Sequence, residues 1–336
     1  MGRYSRKSVN RLTSKVIDIL AKKGEAAYIR AKEIILNMRI DCELLRDAVN
    51  YFIKGKREIQ HPGLLSIACE AVGGDPNSVT DIGAAIFLIL AGVHIHDDII
   101  DETRYKDGRL TVYGKFGKDI ALLAGDAFLF EGLTSLFNFC QRLDDNKKKR
   151  ILELIRTSFF EIGNGEAYEI AFRRKKCMSP KSCIEYLKMR AAVAEAVMKI
   201  GGIVGNGEDS IVENLGHYGR TLGFLSAIRD EFIDIYELEE SKRGETCRCM
   251  PLPLLFVLQD SSMREKILRL LRKKKLTEVD ICVLVDIVME NPAVYKLKKT
   301  MKGLVDQQLH LIRKANITKD AKLNLELILI SVVEDL

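Results

Sequence analysis

Three aspartates close a long apolar run. In IGAAIFLILAGVHIHDDIID, residues 82–101, Asp97, Asp98 and Asp101 stand at i, i+1 and i+4. On a helix this spacing puts Asp97 and Asp101 one turn apart on one face, with Asp98 beside them. Like charges that close destabilise a helix unless a cation neutralises them. A second set repeats the pattern: Asp230, Glu231 and Asp234 lie in FLSAIRDEFIDIYELEE, residues 224–240, among Phe224, Leu225, Ile228, Phe232, Ile233 and Ile235. A lone acidic face is usually solvated. Two copies of one spacing, each on an apolar helix, point instead to a shared divalent cation. Magnesium takes six oxygens, usually one or two from carboxylates and the rest from water and phosphate. Metal-bound phosphate is the chemistry expected.

The elements that position these acids are helical. The chain has 336 residues, 47% of them hydrophobic, with six prolines and no tryptophan. No sustained apolar–polar alternation with hairpin turns appears. Helical periodicity starts early, in SVNRLTSKVIDILAKKGEAAYIRAKEIILNMRI. Breaks follow at Lys54–Gly63, Gly73–Pro76, Lys106–Arg109, Leu143–Lys149, Arg173–Pro180, Gly205–Asp209 and Leu238–Pro253. None is long enough to be a domain linker. The expectation is one all-α domain over residues 1–336.

Net charge is +6, spread widely, which fits a solvated helical surface and anionic small molecules rather than nucleic acid. The apolar run from Ile82 to Ile95 is shorter than the roughly 20 residues a bilayer requires, so a buried helix is expected and no integral membrane segment. Eight scattered cysteines and a basic, polar N-terminus lead to an expectation of reduced thiols in a cytoplasmic protein. Cys247 and Cys249 have no second pair or histidine nearby to complete a zinc site.

Asp97-Asp98-Ile99-Ile100-Asp101 resembles the first DDxxD motif of the trans-polyprenyl diphosphate synthases, and Asp230-Glu231-Phe232-Ile233-Asp234 the second. Gly55-Lys56-Arg57 with Pro62 is similar to their GKRxRP segment. Phe116-Gly117 with Ala124-Gly125-Asp126, Asn164-Gly165-Glu166, and Leu252-Pro253-Leu254-Leu255 resemble their FG…GD, EGQ and LPLL stretches, in the same order. The resemblance implies an isoprenoid-synthase-type helical bundle around a central cavity, usually a homodimer. The two acidic motifs, Asp97, Asp98, Asp101 and Asp230, Glu231, Asp234, would face each other and share about three magnesium ions. An allylic prenyl diphosphate would ionise there, the metals neutralising charge on the leaving pyrophosphate. Isopentenyl diphosphate would then attack the carbocation in a cavity that excludes water.

The acceptor side departs from that pattern. His61 stands where the family has the arginine before proline, leaving Lys56 and Arg57 as the segment's cations. The family's histidine ahead of the first motif falls on Leu90, and its RRG turn reads Lys106-Asp107-Gly108. Lys54, Arg57, Arg104 and Arg109 are the basic residues at hand to compensate. On the allylic side Lys106 replaces the first arginine of RRG. Lys188 and Arg190 flank the position of the KT pair, and Arg248 adjoins that of the last lysine. Gly92 and Val93 stand where bulky aromatics close the pocket of short-chain enzymes, implying room for a product of about C20 or longer. His96 is ordinary before the aspartates, and His94 reads as a hydrogen-bonded core residue.

Three functions fit these residues. One is chain elongation with isopentenyl diphosphate. Another is terpene-synthase-like use of the cation without that acceptor, against which position 238 is Leu where cyclases carry the last member of an Asn/Ser/Glu triad. The third is a non-catalytic subunit that regulates an active synthase.

Overall fold

The structure, a computed structural model, describes residues 11–55, 59–106, 108–175, 178–236, 238, 249–273 and 275–334. Its helices are α1 (Arg11–Leu36), α2 (Glu43–Ile53), α3 (Gln60–Ala71), α4 (Thr80–Ile100), α5 (Val112–Phe116), α6 (Lys118–Cys140), α7 (Asp145–Lys175) and α8 (Pro180–Arg190). They continue with α9 (Ala192–Val204), α10 (Asp209–Ile233), α11 (Leu252–Val257), α12 (Ser261–Leu271), α13 (Glu278–Glu290), α14 (Pro292–Lys314) and α15 (Lys319–Ser331). The all-α expectation holds.

α4 is buried along most of its length, from Ile82 to Ile95, and packs on α1, α3 and α6. α10 packs on α8 and α9, while α7 packs on α8 and α9 from another side. One apolar cluster runs from Val16 to Val332, and a second gathers α1, α2, α4 and α6 around Phe87, Leu88 and Phe128. Buried polar groups in this core are paired, as they must be. Tyr218 on α10 donates to the Leu325 carbonyl on α15 at 2.8 Å, and Tyr28 on α1 to the Ile53 carbonyl at 2.8 Å.

Two details depart from the sequence reading. α7 runs on to Lys175, through the start of the expected break at Arg173, and so carries Glu166, Glu169 and Arg173 at i, i+3 and i+7 on one face. After α4 a short antiparallel ladder, β1 (Tyr105–Lys106) and β2 (Arg109–Leu110), pairs Tyr105 with Leu110 and Lys106 with Arg109. Two residues a side are too few to show an alternation. Gly108 in its turn has φ +79°, a conformation that glycine adopts without strain.

Two helices, Pro76–Ile100 with its leading 3-10 turn and Lys118–Cys140, are long and apolar enough to cross a membrane by length and composition. The first is two-thirds buried inside the protein and the second one-third.

Candidate active site

Both acidic motifs sit at helix C-termini. Asp97 and Asp98 lie in the last turn of α4, and Asp101 is its C-cap. Asp230 and Glu231 lie in the last turn of α10, and Asp234 is its C-cap. Neither last turn carries a basic residue. A helix C-terminus already holds about half a negative charge, so acids there need cations from elsewhere.

Side chains from other elements supply some. Arg173 of α7 pairs with Asp101 at 2.9 Å, both largely shielded from solvent. Lys106 of β1 stands 4.0 Å from Asp98, and Arg190 of α8 stands 3.7 Å from Glu166 of α7. Arg190 keeps 42% of its side chain exposed. Its charge acts on Glu166, Glu169 and Asp97 and also on Glu231, so it is within electrostatic reach of both motifs.

Among the described residues, the carboxylates of Asp97, Asp98, Asp101, Glu166 and Glu169 gather here with Lys106, Arg173 and Arg190. Burial, reinforced by the neighbouring carboxylates, raises the proton affinity of two of them. Burial, then Asp97 and Glu169, push Asp101 up to about 6 against the pull of Arg173. Burial pushes Glu166 up to about 7, opposed by Arg190 and reinforced by Asp97, Glu169 and Asp101. Glu169 is 8% exposed, and among the described residues no ion pair closes on its carboxylate. An oxygen-only set with surplus negative charge suits a hard divalent cation.

Glu231 is placed differently from its two neighbours. Its carboxylate is buried, accepting the Leu252 backbone N–H at 2.7 Å and the Tyr186 hydroxyl at 3.0 Å. Burial raises it to about 7. These two bonds join α10 to α8 and α11, which gives Glu231 an anchoring role that Asp230 and Asp234 are not shown to have.

Gly92 lies at a close helix contact. A side chain there would meet Leu129 Cγ at 2.6 Å and the Gly125 carbonyl at 2.7 Å, so its smallness lets α4 approach α6 and leaves no pocket volume. Gly125 in turn makes room for the His96 ring, which stands 3.3 Å from Asp126. Leu90, Val93, Asp97 and Asp101 share another face of α4 and are partly exposed, so Val93 lies on the face that carries the motif. Lys188 turns outward to Glu185 at 3.2 Å, and Arg190 alone of that pair enters the site. His61 sits half-buried in the first turn of α3. Lys56, Arg57, Asp107 and Arg248 lie outside the described residues, as does Cys247.

Glu169 and Arg173 were missed in the sequence, although their i, i+4 spacing in line with Glu166 carried the signal. Arg109 also finds a role. Its guanidinium lies 3.7 Å over the Tyr51 ring and donates to the Tyr51 carbonyl at 2.6 Å. It is also so close to Gly55 that a Cβ there would sit 2.1 Å from Nη1. Lys115 stands 4.0 Å from the same ring. Neither cation has a carboxylate partner among the described residues.

The polyprenyl synthetase family profile matches residues 42–287, which runs from α2 into α13 and takes in both motifs. The chain belongs to the polyprenyl synthetase family. As a member it is a prenyltransferase of the isoprenyl diphosphate synthase kind. It is 32% identical over 227 residues to the short chain isoprenyl diphosphate synthase of Methanothermobacter thermautotrophicus, covering 67% of this chain and 68% of that protein. It is 28% identical over 202 residues to the geranylgeranyl diphosphate synthase of Methanosarcina mazei, covering 59% of this chain and 61% of that one. Its fold matches the crystal structure of geranylgeranyl pyrophosphate synthetase from Pyrococcus horikoshii with TM-score 0.80 over 96% of this chain and 98% of that one. Identity to that structure is 24%, so it bears on the fold alone.

Proposed function

We propose that this polyprenyl synthetase transfers a prenyl group from an allylic diphosphate to isopentenyl diphosphate in a magnesium-dependent reaction. The observation that carries the reading is the placement of two acidic motifs at the ends of α4 and α10, with Arg190 within electrostatic reach of both. Asp97, Asp98, Asp101, Asp230 and Asp234 would hold the metal, which supplies charge neutralisation at the departing pyrophosphate. Lys106 and Arg190 would add donors to the diphosphate, and Arg190 would keep its charge throughout.

Arg109 supports isopentenyl diphosphate as the acceptor. The sequence puts a carboxylate, Asp107, where the family has an acceptor-side arginine. The hairpin returns Arg109 to the Gly55 end of the GKR segment, which restores a planar cation at that place. Leu238, buried at 9% exposure, speaks against the cyclase alternative. Product length would be governed from the Leu90–Val93 face of α4, not from Gly92. The test is magnesium-dependent incorporation of labelled isopentenyl diphosphate into a longer allylic product; pyrophosphate release without extension would favour the terpene-synthase-like alternative.

A homodimer belongs to the same reading. α6 presents Leu122, Phe130, Leu133 and Phe137 to solvent, with Phe130 76% exposed. Their spacing of three, four and eight residues makes one stripe along the helix. A second copy of this chain is the occupant the family resemblance implies.

A further inference from the structure

One oxygen of Asp101 is already paired. Arg173 Nη1 holds its Oδ1 at 2.9 Å, with the two side chains 20% and 14% exposed. Asp98 leans toward Lys106 at 4.0 Å. Among the described residues no three His, Cys, Asp or Glu side chains converge as metal ligands. One turn before Arg173, Glu169 offers a second carboxylate, at the i, i+4 spacing that lets side chains meet on a helix. That carboxylate carries no ion pair among the described residues, and its charge is felt by Arg173.

We infer that Arg173 is an exchangeable counter-cation of the first acidic motif: it pairs with Asp101 and moves toward Glu169 when a divalent ion takes Asp101. This rests on the magnesium reading above and adds a step to it. Two cations compete for one carboxylate oxygen, and one is covalently part of the protein. The tethered cation neutralises the α4 terminus, and it lowers the affinity for free metal. Arg173 is thus a positioning residue: it acts through Asp101, not on the reacting atoms.

The test is calorimetric titration of the full chain with Mg2+ alone, then with Mg2+ plus inorganic pyrophosphate. Arg173→Gln should bind Mg2+ alone about tenfold more tightly than the unaltered chain, the size of one lost competing charge-assisted contact. Arg173→Lys, a point charge without the planar fork, should bind it about threefold more tightly. A gain in affinity is not what structural damage produces. Equal or weaker Mg2+ binding in both variants overturns the inference. Should Arg173→Gln fail to melt cooperatively, equal or weaker binding by Arg173→Lys overturns it alone. Failure of the unaltered chain to bind Mg2+ with pyrophosphate would sink the magnesium reading instead, whatever the variants do.

Discussion

Glu231 of α10 accepts the backbone N–H of Leu252 at 2.7 Å, and this bond joins the second acidic motif to the start of α11. The same carboxylate accepts the Tyr186 hydroxyl at 3.0 Å. Glu231→Ala would leave two buried donors without acceptors, at a cost of about 1–3 kcal/mol each. Glu231→Gln can still accept from Leu252 and donate to the Tyr186 oxygen, so it should cost under about 1 kcal/mol. The anchoring role therefore predicts a large fall in melting temperature for Ala, a small one for Gln, and an unchanged magnesium half-saturation for Gln. A half-saturation raised tenfold or more in Glu231→Gln would return this residue to the metal.

The raised acids give the metal-free protein a distinctive pH dependence. Asp101 moves from 3.8 to about 6, and Glu166 and Glu231 from 4.5 to about 7. A group whose folded value is raised contributes stability that is complete below its unfolded value and is lost as pH climbs through the folded one. Each tenfold gain in proton affinity on folding corresponds to about 1.4 kcal/mol between protonation states. Without magnesium, melting temperature should fall from about pH 4 to about pH 7. Asp101→Asn with Glu166→Gln should flatten that fall, and added Mg2+ should restore stability most at the alkaline end. A metal-free protein that is more stable at about pH 7.5 than at about 5.5 would contradict the raised values.

Arg109 should act on one substrate only. Loss of a charge-assisted contact to phosphate costs about 1.5–3 kcal/mol, or roughly ten- to a hundredfold in affinity. Arg109→Gln should raise KM for isopentenyl diphosphate by that factor and leave KM for the allylic substrate nearly unchanged. Equal rises for both would mean that Arg109 supports the hairpin through Tyr51 and does not bind the acceptor.

The α6 stripe predicts assembly. Phe130→Glu puts a charge into the proposed contact without touching the core, since Phe130 is 76% exposed. Sedimentation should show a dimer for the unaltered chain and a monomer for the variant. A monomer in both would leave the stripe needing another partner.

Much of this was legible in the sequence, because periodicity and charge spacing are local. The acidic motifs declared their helices, and the glycine- and charge-rich breaks fell near helix ends. Other features depend on which helices meet. Gly92 looked like free space, but it is the point where α4 closes on α6. Glu231 looked like the equal of Asp230 until Tyr186 and Leu252 were found on it. Arg173 fell in an apparent break, and only the continuation of α7 brings it to Asp101, 72 residues away in the chain.

The central claim is magnesium-dependent elongation, and one assay tests it most directly. The purified chain would be incubated with labelled isopentenyl diphosphate and allylic partners from dimethylallyl to geranylgeranyl diphosphate, with and without Mg2+. The account predicts label in a longer prenyl diphosphate for at least one partner, only when Mg2+ is present and lost in Asp97→Ala. No extension with any partner, with Mg2+ present, would contradict it.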